Sequence, residues 1–122
     1  MTMSRVVRQA RIDVPLLGQQ YAYMFVGPVL TEGSPWWQSL FDYLVSLLGP
    51  QAEWRHEPVQ DVYVARPDLN DDDKAALCAI LKSAPEEELS SHRTLRRASQ
   101  LTPAAANRLR VTFFSGSDTT TN

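Results

Sequence analysis

Carboxylates crowd most densely in Pro67-Asp68-Leu69-Asn70-Asp71-Asp72-Asp73-Lys74. A calcium loop would take Asp68, Asn70 and Asp72 as its first, third and fifth ligands. The sixth position would then be Asp73, where the turn needs glycine, and the twelfth Ala79, where a bidentate glutamate is needed, so calcium is excluded. A nuclease-like centre would use Asp68 with Asp72, Asp73 and Lys74 to hold Mg²⁺ and a phosphate. That spacing is too tight, and its second half falls at a helix start. Helix capping accounts for the run better: Asn70 or Asp71 caps, and acids in the first turn meet the helix dipole.

Three other groups invite chemistry. His56-Glu57 beside Asp61 would make an acid–base pair, but no motif places a serine or cysteine nucleophile there, and exposed strand residues are the simpler expectation. His92 follows Ser90-Ser91 on a basic helix and is expected in solvent. Cys78, the sole cysteine, falls beside the apolar stripe of its helix; with only two distant histidines in the chain, it is expected as a packed thiol rather than a nucleophile. The five glycines form no phosphate loop, and no metal-ligand spacing occurs. No catalytic residue, cofactor or metal is therefore expected, and the chain reads as a non-enzyme.

The remaining candidates are surfaces. The Trp-rich stretch Ser34 to Pro50 reads as one helix, with Ser34 as N-cap, Pro35 at the first position and Gly49-Pro50 as the stop. At ~100° per residue, Gln38, Ser39, Asp42 and Ser46 fall on a polar arc of roughly 100°. Every other position is apolar or aromatic, about twice the stripe that a surface helix needs. One side would bury against a sheet and the other would need a second cover, from the helix over 86–99, from a second copy of the chain or from another protein. The edge marked by Trp36 and Tyr43 is therefore a candidate interaction surface for another protein or a second copy of the chain. Tyr21, Tyr23, Phe25, Trp54 and Tyr63 add aromatics on strands.

Charge supplies two further candidates. Residues 68–88 hold seven acids against Lys74 and Lys82, a net −5. Residues 92–110 hold five arginines and no acid, although the whole chain is only −2. Arg93, Arg96 and Arg97 share a helix face that would recruit an acidic partner or pair with the chain's own acidic helices. The alternative is duplex DNA: residues 89–110 would form a helix-turn-helix-like unit with Asn107, Arg108 and Arg110 at the nucleic acid.

These groups need a scaffold. Residues 6–16 alternate as a half-buried strand, and Leu17-Gly18-Gln19-Gln20 turns the chain. Tyr21 to Val26 is apolar on both faces, which suits a central strand covered twice, or else an aromatic face left open for a partner. Residues 51–57 are weakly strand-like, and 59–66 are a firmer strand. Helices are expected over 72–82, 86–99 and 103–108, and a last strand over 109–114. The class is α+β in two layers: an antiparallel or mixed sheet of four to five strands, covered by three to four helices. From the second strand on, counting 51–57, the order is that of a ferredoxin-like βαββαβ unit.

With 43% hydrophobic and 21% charged residues, one domain over 1–115 with a polar tail over 116–122 is expected. Arg5, Arg8 and Arg11 precede an apolar stretch interrupted by Gln19 and Gln20, with no convincing cleavage site, so no signal peptide is expected. No run reaches the ~18 apolar residues of a membrane span. A cytoplasmic protein that acts by protein contact, with no membrane role, is the expectation.

Overall fold

The computed structural model describes residues 7–28, 35–48, 54–56, 62–65 and 69–115, with 54–56, 62–65, 103 and 115 described by backbone alone. The elements run β1 (Val7–Pro15), β2 (Tyr21–Val26), α1 (Pro35–Ser46), β3 (Trp54–His56), β4 (Val62–Ala65), α2 (Asp71–Lys82), α3 (Glu86–Ser91), α4 (Arg93–Ala98), α5 (Pro103–Ala106) and β5 (Arg110–Ser115). The fold is α+β, with the sheet ordered β2-β1-β5-β4-β3 and every neighbouring pair antiparallel.

Long ladders join β2, β1 and β5, and short ones add β4 and β3. β1 earns its inner place by alternation: Ala10, Ile12 and Val14 are fully buried. Opposite them on the same face stand Val26, Met24 and Ala22 of β2, with Phe113 and Val111 of β5 beside Ala10 and Ile12. The hairpin to β2 closes with the Leu16 N–H donating to the Gln20 carbonyl at 2.9 Å. Gly18 takes φ +73° there, the left-handed conformation that a side chain resists.

This order corrects two expectations. A ferredoxin-like unit would set β2 between β5 and β4; instead β1 stands between β2 and β5, and β5 pairs with β4. The hairpin binds β2 to β1 first, and the inward face of β5 then completes the other side of β1. β2 is consequently an edge strand rather than a central one. Met24 and Val26 are buried, while Tyr23 and Phe25 are exposed.

The helices pack on the face that carries Ala10, Ile12 and Phe113. Leu40, Phe41 and Leu44 of α1, Leu77 and Leu81 of α2, and Leu95 and Ala98 of α4 complete the core. Asn70 caps α2, its side-chain oxygen accepting the Asp73 N–H at 2.7 Å. Thr102 caps α5 by accepting the Ala105 N–H at 3.2 Å. The helix expected over 86–99 is two helices, so five stand among the described residues instead of three to four. Ser90 and Ser91 turn their hydroxyls back to the Glu86 and Glu87 carbonyls, a local bond that weakens helix propagation. His92 then adopts extended backbone, φ −128° and ψ 106°, and the chain re-enters a helix at Arg93. α1 begins at Pro35 as expected. Its N-cap Ser34, its stop Gly49-Pro50 and the tail 116–122 lie outside the described residues.

Candidate interaction surfaces

The apolar rims of α1 are occupied from within the chain. Trp36 donates its indole N–H to the Ile80 carbonyl (3.2 Å) and the Ser83 hydroxyl (3.3 Å), at the C-terminal end of α2. Tyr43, further along α1, is half-buried near Asp73 at the start of α2. Burial first, and the Asp73 carboxylate second, push its phenol pKa up. Thus α2 lies along this edge in the opposite sense to α1. Trp37 donates to Glu88 Oε1 at 2.7 Å. Its ring meets Trp36 and His92 edge-on, with centroids 5.1 and 5.2 Å apart. The second cover that the Trp36/Tyr43 edge needs comes from within the chain, from α2 rather than from the helix expected over 86–99, and both side chains pack against the core as half-buried residues.

Arg93, Arg96 and Arg97 do share an exposed face. They line an open groove of about 360 Å³ together with Thr94 and Gln100. An acid of the chain's own, Glu86, approaches Arg96 at 3.9 Å. At that distance between exposed side chains the pair is weak.

The helix-turn-helix is not formed. Its first helix is interrupted at His92, and α5 has four residues, too few for a recognition helix. None of the three residues assigned to DNA lies within a helix. Asn107 offers its backbone carbonyl to Lys74 Nζ at 3.4 Å. Arg108 sets its guanidinium over the Tyr21 ring, 5.2 Å from the centroid. Arg110 is exposed on β5, paired in register with Asp13 of β1.

Those two arginines lead to the other face of the sheet. Parity puts Gln9, Arg11 and Asp13, then Tyr21, Tyr23 and Phe25, then Arg110, Thr112 and Phe114 opposite the core. Arg11 faces Phe25 in register, and Asp13 faces Tyr23. Arg11 Nε donates to Asp13 Oδ1 at 2.8 Å, and its guanidinium lies 4.7 Å from the Tyr23 ring centre. Phe25 and Phe114 meet across β1 with centroids 6.3 Å apart. Tyr23 is 55% exposed and Phe25 52%, and Leu17 at the hairpin tip is 89% exposed. No described helix lies on this face. The sequence signal for it was the i, i+2, i+4 aromatic alternation in β2.

The remaining candidates stay apart from this face or outside the described residues. Cys78 is a half-buried free thiol on α2. Burial raises its pKa, and Lys82 acts in the opposite direction. Asp68, Glu57 and Asp61 lie outside the described residues, as do the side chains of His56, Trp54 and Tyr63. Among the described residues no three His, Cys, Asp or Glu are grouped to hold a metal ion. No described helix is long and apolar enough to cross a membrane. No protein-family model, curated protein or solved structure matches this chain.

Proposed function

We propose that the chain is a small non-enzymatic interaction module that meets its partner on the open face of its sheet. The observation behind this is the exposure of Tyr23 and Phe25, side by side with Arg11, on a face that no described helix covers. Large rings are the side chains that anchor interfaces when covered. A protein partner, or a second copy of the chain, would use these rings as anchors. The Arg93, Arg96 and Arg97 face would help to recruit an acidic one.

A second reading, nucleic acid, draws on a specific observation. Arg108, expected on the helix over 103–108, sets its guanidinium over the Tyr21 ring of β2, and Arg110 stands on the same sheet face on β5, across β1 from that strand.

The test is the double variant Tyr23→Ser/Phe25→Ser. Both rings are half-exposed, so thermal stability should stay close to the parent, while the chain immobilised on a resin should lose what it retains from a lysate. Unchanged retention by a folded variant would refute the open-face assignment.

A further inference from the structure

We infer that the open sheet face binds single-stranded nucleic acid, with bases stacked on its rings and phosphates met by its arginines. This rests on the open-face assignment above and names the partner class.

Charge selects the partner. Among the described residues, Arg11, Arg108 and Arg110 stand around the rings against one carboxylate, Asp13, a local excess of two positive charges in a chain of net −2. The acidic blocks Asp71–Asp73 and Glu86–Glu88 sit on helices of the opposite layer. With screening over about 10 Å at 0.1 M salt, the sheet face presents its own local field. A second copy docking by the same face would bring like charges together. An anionic partner relieves them.

Shape selects among anions. The face is a sheet surface, and no described helix stands on it to enter a duplex groove. Single strands are instead bound by stacking unpaired bases on aromatic side chains and on guanidinium planes. Phe25 and Phe114 lie on the two strands flanking β1, 6.3 Å apart. Arg11 over Tyr23 and Arg108 over Tyr21 each add a cation–π pair to the same face. Rings and cations thus alternate across one surface, the arrangement that follows a backbone while accepting any base.

The experiment is fluorescence anisotropy of a labelled 15-nucleotide poly-dT strand titrated with the full chain. Three arginine contacts imply a log–log salt slope near −2, a loss of roughly 20-fold in affinity between 50 and 200 mM salt. Phe25→Ala should weaken binding roughly 5- to 100-fold with an unchanged melting temperature. Arg110→Ala should reduce the salt slope by about 0.7. A duplex of the same length should bind more weakly than the single strand.

No binding at 50 mM salt overturns the inference, as does binding that neither variant alters or equal binding of duplex. If the strand does not bind but Tyr23→Ser/Phe25→Ser halves the mass in solution, the face is a protein interface. The nucleic-acid inference then fails alone. If the strand does not bind and that variant changes neither mass nor retention, the open-face assignment fails with it.

Discussion

Trp36→Ala distinguishes an internal helix seam from a docking edge. Complete burial would make the truncation cost about 3–5 kcal/mol. Trp36 is half-buried, so the ring's share is about 2 kcal/mol. Its indole hydrogen bonds to Ile80 and Ser83 add up to about 1 kcal/mol. The Ile80 carbonyl keeps the Ser83 N–H and hydroxyl as donors, so no desolvated acceptor is left behind. The total is about 2–3 kcal/mol, and the midpoint temperature of a chain this size should fall about 10 °C. Trp36→Phe keeps most of the ring and should cost about 1 kcal/mol. Urea denaturation followed by far-UV circular dichroism reads both, and an unchanged m-value would assign the effect to stability rather than to compactness. A loss below about 0.5 kcal/mol, accompanied by a fall in solution mass, would refute the seam and restore the edge as an interface.

Other perturbations test the same architecture. Phe113→Ala removes a fully buried ring from β5 and should cost about 3–5 kcal/mol by the same denaturation assay. Asn70→Ala removes the cap on α2 and should cost about 1 kcal/mol. Tyr43 and Cys78 both have raised pKa values in the fold. The unfolded chain therefore releases these protons first, and stability is full below the unfolded values and declines as pH rises past about 9–10. Tyr43→Phe should flatten the upper part of that decline, and a stability that rises with pH there would contradict the assignment.

Local features of the chain were readable because their causes are local. The alternation of Ala10, Ile12 and Val14 marked β1, Asn70 with the following acids marked the start of α2, and Thr102-Pro103 marked α5. What was misread depends on neighbours. A helical wheel measures how much of α1 is apolar but not what surrounds it, and the surplus met Ile80, Ser83 and Glu88 from segments more than forty residues away. Strand pairing is likewise non-local, so element order suggested a ferredoxin-like sheet while the hairpin and β5 built another. The break at His92 arises from competing serine hydroxyls, a bias too small to read beside a continuous helical pattern. In β2 the aromatic alternation was visible. Its exposure was decided by which face the helices took.

Hydroxyl-radical footprinting of the folded, dilute chain tests the central claim most directly, because it reports side-chain exposure without any partner. Tyr23 and Phe25 should label readily, while Trp36 and Trp37, held by α2 and α3, should label well below their intrinsic reactivity and rise only on unfolding. Fast labelling of Trp36 together with protection of Phe25 would contradict the account.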